Sequence, residues 1–478
     1  MTRTCLSILA LCLPATAMAR PLSYEDAIAR ALDANPALRV AEKSLEQAEA
    51  RFITSLGGFD PTLSLRGGYN TAQEIQFLPP FPDPFQTRRT SFNANASLSA
   101  TAPTGTSATL ESGIFNSNTF VETPDGDIEQ RFFQPTFNFE VSQELLRGVR
   151  LAFNLQPINT ARVQRSRAEL EYEAARQDNL ATVAQAYWNW VYLVDLVTIA
   201  ELSLDVAKEQ LRIGKARVDA GEAAPVEGTR LEAAKIQAET NLIQAANDAG
   251  DAADELLLLL GDNPGAPIEP ASAPGEAPII QLDLEAVTAV ALEGNLDIGV
   301  ARARVQEAEI TLAVARHAML PTLTANANAG LRGGSALGWS PAYDFLGQFP
   351  QFGISGVFSV PLGNRAAKGE SRRANAELEA AQLQLGERER DVRGQVARQV
   401  RVIQAAATRI SLADANARLA EQTLDAEEAR YEAGRVLLQE VLDARRELDR
   451  TRVEAAKART DFRVAEVELL RLQGRVED

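Results

Sequence analysis

The sequence predicts a mainly α-helical chain with membrane β-strands, built as one helix–strand–helix unit used twice. Three observations predict it. The chain aligns with itself at two fixed offsets, period-two alternation falls at matching places in the two copies, and long proline-free stretches of three/four spacing follow the alternation. Self-similarity comes first, because a missed repeat misreads the whole architecture.

At the start of the chain, Arg3 precedes an apolar stretch, 5–17, that ends in Ala17-Met18-Ala19. This is the pattern of a signal peptide with an A-x-A cleavage site, assigned to 1–19, and it is too short and wrongly flanked for a membrane helix. Export is the implied fate. Cys5 and Cys12 leave with the peptide, and Leu11 stands where a lipid-attachment cysteine needs a small residue before it. The remainder, from Arg20, holds no cysteine and one histidine, His317. Disulfides, thiol nucleophiles and Cys/His metal clusters are therefore excluded by inventory, and no catalytic residue, metal or cofactor is expected. Without Arg3 the balance is 47 basic against 65 acidic residues, a net of −18, which argues against nucleic acid as a partner. The longest obvious apolar run, 256–260, has five residues. Any membrane crossing must use strands.

The repeat is read without gaps. Residues 22–63 match 282–323 at an offset of 260, with 13 of 42 positions identical, among them Asn35/Asn295 and Pro61-Thr62-Leu63/Pro321-Thr322-Leu323. A second match, at offset 213, starts at Ala216-Arg217-x-x-Ala220-Gly221 against Ala429-Arg430-x-x-Ala433-Gly434 and ends at Gly261 against Gly474. The first structural repeat is placed at 20–261, with strands at about 61–145 and long helices at about 160–261. A Pro-rich linker follows at 262–281, where five prolines forbid a helix. The second repeat spans 282–478, with strands at about 321–361 and long helices at about 366–474. The fall in offset leaves copy one with 47 extra residues between Pro-Thr-Leu and its long helix.

Within a unit, Ser23 with Asp26 three residues on marks a helix start, and Asn35-Pro36 supplies an N-cap followed by proline at the first helical position. The period then becomes two. Leu323, Ala325, Ala327, Ala329 and Leu331 alternate with Thr324, Asn326, Asn328 and Gly330, and the stretches 92–100 and 137–142 behave alike. One small or apolar face and one polar face is the pattern of a strand with lipid on one side and water on the other. A half-buried soluble strand gives the same pattern, so both environments stay open at this step. From about Asn159 the helical period runs to Gly221 without an internal proline, enough for a helix of ~90 Å at 1.5 Å per residue. Tyr187, Trp188 and Trp190 on this helix are expected to pack against neighbouring helices.

Taken in order, these features resemble the TolC-like outer-membrane efflux family over essentially the whole exported chain. The resemblance rests on the duplicated unit, on Pro-Thr-Leu entering a strand, on Leu145-Leu146-Arg147-Gly148 leaving one, and on Ala186-Tyr187-Trp188 in a long helix. It rests also on Tyr431-Glu432-Ala433-Gly434 followed by Glu440-Val441-Leu442-Asp443-Ala444. It implies a homotrimer in the cell outer membrane, whose strands pool into one β-barrel continued by a periplasmic α-helical barrel. It further implies a periplasmic adaptor protein and a proton-driven or ATP-driven inner-membrane pump as partners, with outer-membrane lipid around the barrel. The implied role is a non-catalytic exit duct for tripartite efflux or type I secretion.

The same resemblance assigns site residues. Ala220, Gly221, Ala433 and Gly434 become adaptor contacts at two helical hairpin tips, where glycine also allows the chain to reverse. Glu440 and Asp443, three apart on one helical face, become a pore-entrance acidic ring under threefold symmetry. Glu227, Tyr431 and Arg435 become an entrance latch, although the family's constricting arginine aligns with Val436 and Arg435 is its neighbour. The family pattern has two strands per copy. Here 92–100, the turn at 102–105 and 107–115 read as an extra hairpin, so six strands per chain are expected, and 18 per trimer if all enter the wall rather than 12. The alternative reading is a secreted coiled-coil structural or surface-interaction protein whose strands form a soluble sheet. A periplasmic adaptor fits less well, since it needs neither two copies of the unit nor lipid-facing alternation.

Overall fold

The computed structural model describes residues 20–76, 85–122, 126, 128–222, 224–275 and 282–476. The signal peptide expected at 1–19 lies outside the described residues, as does the 276–281 end of the linker. In chain order the elements are β1 (Arg20–Leu22), α1 (Tyr24–Ala34), α2 (Pro36–Leu56), β2 (Thr62–Gln76), β3 (Phe85–Thr101), β4 (Thr106–Val121) and β5 (Ile128–Glu144). The single turn α3 (Leu151–Asn154), α4 (Gln156–Asp219), α5 (Pro225–Leu259) and β6 (Ile268–Pro270) complete the first copy and enter the linker. The second copy is α6 (Leu284–Gly294), α7 (Leu296–His317), β7 (Thr322–Arg332), α8 (Trp339–Asp344), β8 (Pro350–Ser359), α9 (Arg365–Glu432) and α10 (Leu438–Gln473).

The chain divides into two compact units. One gathers the chain up to Ser44, Glu169–Val300 and the chain from Gly386 onward; the other gathers Leu45–Ala168 and Ala301–Leu385.

The first unit is helical, and its helix ends are fastened in the same way in both copies. Ser23 caps α1 by accepting from Asp26 N–H at 3.1 Å. Asn35 then breaks α1 from α2. Its amide oxygen accepts from the N–H groups of Ala37 (2.8 Å) and Leu38 (3.3 Å), while its NH2 donates to Leu259 O at the end of α5 (2.9 Å). Asn295 repeats this between α6 and α7, accepting from Ile298 N–H (3.2 Å) and donating to Leu472 O at the end of α10 (3.1 Å). Leu259 and Leu472 differ by the same offset of 213 that relates the long helices. One asparagine thus caps the start of one helix and the C-terminal carbonyls of another. Gly261 and Gly474 close the two clasps at φ +75° and +69°, and a Cβ on either would come within 2.7 Å of a backbone oxygen, of Ala34 and Gly294 respectively.

The core of this unit lies against α4. Trp190 and Tyr187 are buried with Leu180, Val183, Leu256 and Leu260, each large apolar side chain contributing on the order of 2 kcal/mol of burial. Tyr187 Oη donates to Leu22 O (3.0 Å) and accepts from Ser272 N–H (3.3 Å), and Trp188 stacks on Tyr24 with centroids 5.3 Å apart. The three aromatics are packing groups, as the spacing predicted. The partner of Tyr187 was not anticipated. Inside the linker β6 pairs in parallel with β1, Leu22 against Pro270, and ties the first residues of the fold to the join between the copies.

The second unit holds one antiparallel six-stranded sheet, ordered β2-β3-β4-β5-β7-β8. The extra hairpin is β3–β4, inside the sheet. One row across all six strands reads Leu63, Leu98, Leu110, Phe139, Ala329, Phe352; the next row, on the other face, reads Ser64, Ser97, Glu111, Asn138, Gly330, Gln351. The polar face carries a recurring pair. Asn93, Asn95, Asn138 and Asn328 each stand opposite a glycine (Gly68, Gly113, Gly330, Gly353) at which any Cβ would run into the amide oxygen. Each amide therefore lies flat on the neighbouring strand, keeping the face polar without long side chains. The two outer strands, β2 and β8, each have one edge without a partner among the described residues. Among the described residues no helix is long and apolar enough to cross a membrane.

Candidate functional site: the two helical hairpin tips

All the residues that the sequence assigned to functional sites lie in the first unit, around two reversals of the chain. In the first, α4 ends at Asp219, Gly221 N–H donates to Val218 O (3.0 Å) and Glu222 N–H reaches back to Arg217 O (2.9 Å). In the second, α9 ends at Glu432, Gly434 N–H donates to Tyr431 O (2.9 Å) and Arg435 N–H reaches Arg430 O (2.9 Å). These are the same C-terminal motif at positions 213 apart, each needing a left-handed residue, and Gly221 and Gly434 supply it at φ +79° and +67°. A Cβ on either glycine would meet nothing within 4 Å. Backbone conformation is what requires glycine at these tips. Ala220, Ala433 and both glycines are solvent-exposed.

The returning helices start differently. Pro225 opens α5, with Glu227 in its first turn, and Leu437 precedes α10, with Glu440 in its first turn. Both carboxylates sit where a helix N-terminus favours negative charge. The helices close in tightly here. Gly214 of α4 leaves room for Leu231 of α5, and Ala420, Leu424, Val441 and Leu448 bury the seam between α9 and α10.

Across the two hairpins, Tyr431 Oη donates to Glu227 Oε2 at 3.1 Å. The guanidinium of Arg217 lies over the Tyr431 ring, 5.5 Å from its centroid. Burial pushes the phenol above its ordinary pKa, the Glu227 charge adds to that, and Arg217 pulls the other way. The phenol thus stays a donor at neutral pH. Tyr431 and Arg217 border a cleft of about 190 Å³ whose walls include Gln210, Ile213, Leu438 and Val441.

The structure brings Glu227 and Tyr431 together and leaves Arg435 outside. Arg435 is exposed and contributes its backbone N–H to the turn, while the cation beside Tyr431 is Arg217. The sequence carried a signal for it, because Arg217 is the arginine of the repeated Ala-Arg-x-x-Ala-Gly motif. Its counterpart Arg430 instead pairs with Glu427 on the same helix at 2.7 Å. The two residues of the expected ring are both exposed. Asp443 is held by Arg446 and accepts from Gln439 Nε2 (3.1 Å), while the Glu440 carboxylate makes no hydrogen bond or ion pair among the described residues. Among those residues no group of three His, Cys, Asp or Glu side chains converges to hold a metal ion.

Against known structures the whole chain aligns. It resembles the outer membrane protein VceC of Vibrio cholerae at 20% identity, covering 95% of this chain and 97% of that one, with a TM-score of 0.68. It resembles CusC, whose crystal structures describe conformational changes accompanying folding and transmembrane channel formation, at 17% identity over 98% and 96% of the two chains, with a TM-score of 0.70. The CmeC outer membrane channel of Campylobacter jejuni aligns at 17% identity over 95% and 87%, with a TM-score of 0.66. At these identities the likeness is one of fold. No curated protein sequence matches the chain. The family model described as outer membrane efflux protein matches residues 27–262 and 287–475, two blocks that fall on the two copies of the unit. With most of its length matched in this way, and with the duplicated helices and strands of that fold, the chain belongs to the outer membrane efflux protein family.

Proposed function

We propose that three copies of this chain form an outer-membrane exit duct that passes solutes from a periplasmic adaptor and an inner-membrane pump to the exterior, without catalysis. The sheet carries this reading. Its apolar face runs along β5 from Phe133 to Val141, a span of nine residues, which is about what a tilted strand needs to cross a bilayer. Its other face is polar, and its two free edges, β2 and β8, would meet between copies and close an 18-stranded wall. Exposed apolar pairs seven residues apart on the long helices, Ile236 with Ile243 and Leu412 with Leu419, support burial against a further copy in the helical part. In this reading Ala220, Gly221, Ala433 and Gly434 meet the adaptor, and Glu440 with Asp443 lines the periplasmic entrance. Glu227, Tyr431 and Arg217 hold it closed.

The test is direct. The protein extracted in detergent should run as a heat-sensitive trimer and conduct ions in a planar bilayer. A monomer that stays soluble without detergent would overturn the proposal in favour of a secreted coiled-coil protein.

A further inference from the structure

The connection between β7 and β8, residues 333–349, is built as a pinned aromatic bracket. Phe133 N–H donates to Ser335 O (2.8 Å), Ser335 N–H donates to Phe133 O (3.0 Å), and Gly333 N–H donates to Pro135 O (3.0 Å), so the segment leaves β7 locked to β5. Ala342 of α8 is fully buried, and Gly333 passes so close beneath its carbonyl that no Cβ fits. Trp339 packs edge-on against Phe133, with centroids 5.1 Å apart and planes at 74°.

Phe133 is the last apolar residue of its face. Phe139, Phe137 and Pro135 precede it at steps of two, and the next step is Arg131, paired with Glu129 at 2.9 Å, which also accepts from Asn118 at 2.7 Å. The bracket thus sits where the apolar face gives way to charge. Its outward side chains are Leu337, which is 88% exposed, Phe349, Tyr343 and Phe345. Asp344 is the one charged side chain in 333–349. Such a set would be costly to leave in water beside an already apolar face. Aromatic rings with an apolar body and a polar edge suit the boundary between headgroups and acyl chains.

We infer that α8 and its flanks are an interfacial anchor, lying at the headgroup boundary of the leaflet reached by the loop end of the sheet, with lipid as the occupant of its aromatic face. The inference rests on the proposed lipid-facing role of the apolar face and adds the depth at which that face ends.

Three tryptophans make it measurable, because Trp188 and Trp190 are buried in the helical unit and Trp339 is the only one in the sheet unit. The full-length oligomer is reconstituted into phosphatidylcholine vesicles brominated either near the headgroup or near the chain end. The emission lost on going from the native protein to Trp339→Phe isolates Trp339. Bromines near the headgroup are expected to quench that share more strongly than bromines near the chain end. A second reporter, Phe139→Trp in the Trp339→Phe background, reads the middle of the apolar face. If it is quenched while Trp339 is not, the anchor is wrong and the lipid-facing sheet stands. Shielding of Trp339 by a neighbouring copy would give that result. If neither is quenched, the lipid-facing reading fails and the anchor with it.

Discussion

The two copies of the unit agree at their helix ends and disagree in their strands. The clasp made by Asn35 and Gly261 reappears as Asn295 and Gly474, with the same amide-to-carbonyl bond and the same cap three residues on, and the two tip turns use the same hydrogen bonds. Between Pro-Thr-Leu and the long helix, copy one has four strands and copy two has two among the described residues. Helix ends leave unsatisfied N–H and C=O groups that only particular residues satisfy, so divergence there breaks the fold. A sheet edge accepts any strand of the right alternation, provided strands come in pairs that return the chain to the end it left. An inserted hairpin meets both conditions. The copies also differ at the tips. Tyr431 of copy two bonds Glu227 of copy one, but the residue equivalent to Tyr431 in copy one is Val218, which has nothing to offer Glu440.

The largest effect should separate clasps from tips. Gly474→Ala or Gly261→Ala must hold an L-residue at positive φ and also displace a backbone oxygen, at a cost of about 3 kcal/mol. Gly434→Ala meets open space and should cost only about 1 kcal/mol. Apparent Tm in detergent orders the three; a tip variant as damaging as a clasp variant would mean that the tips, too, are closely packed. Next in size, Asn35→Ala and Asn295→Ala each remove a cap and a carbonyl contact, about 1–2 kcal/mol apiece. Equal losses are expected. Unequal ones would show that the two clasps, alike in geometry, carry different loads.

What the sequence revealed follows the same division. Helices were legible because three/four spacing and the Asn-Pro start are local signals, and the extra hairpin was legible because alternation resumes on both sides of Ala102-Pro103-Thr104-Gly105. The pairing of β1 with β6 was not, since three-residue strands containing Pro21 and Pro270 lack any periodic signature. Nor was the bracket around α8, which falls inside the stretch of about 321–361 assigned to strands, because Ser340-Pro341 and four glycines carry no periodic pattern. Arg217 was overlooked because its contact with Tyr431 joins residues more than 200 apart. The repeated motif named the arginine but not its direction.

Tyr431→Phe tests the asymmetry of the tips. It deletes the donor to Glu227 while keeping the ring under Arg217, a loss of about 1 kcal/mol, or roughly fivefold in the ratio of open to closed entrances if the pair is a latch. Single-channel recordings should show longer or larger openings. Glu440→Gln is expected to leave that ratio unchanged, because Glu440 has no partner to lose among the described residues, and to shift selectivity away from cations instead. A gain in opening from Glu440→Gln would place the latch in copy two.

The smallest expected effect lies further along α4, where the offset of 213 sets Asp195 of copy one against Thr408 of copy two. Thr408 is satisfied locally, donating to Gln404 O at 3.0 Å. Asp195 is partly buried at the rim of a cleft of about 840 Å³, and burial raises its carboxyl pKa against the pull of Arg459, which is itself engaged by Asp414 at 2.7 Å. A carboxyl whose pKa is higher in the folded protein than in the unfolded chain is a liability once both are ionised. Its cost is absent below the unfolded value and present in full above the folded one. Asp195→Asn should therefore raise the apparent Tm slightly at neutral pH, and the gain should vanish as pH falls through the carboxylate range. Asp195→Thr, which imports the solution used in copy two, should behave the same way. A fall in Tm at neutral pH would mean that Arg459 stabilises the charged form more than burial penalises it, and that copy one keeps the aspartate for its attraction to that arginine.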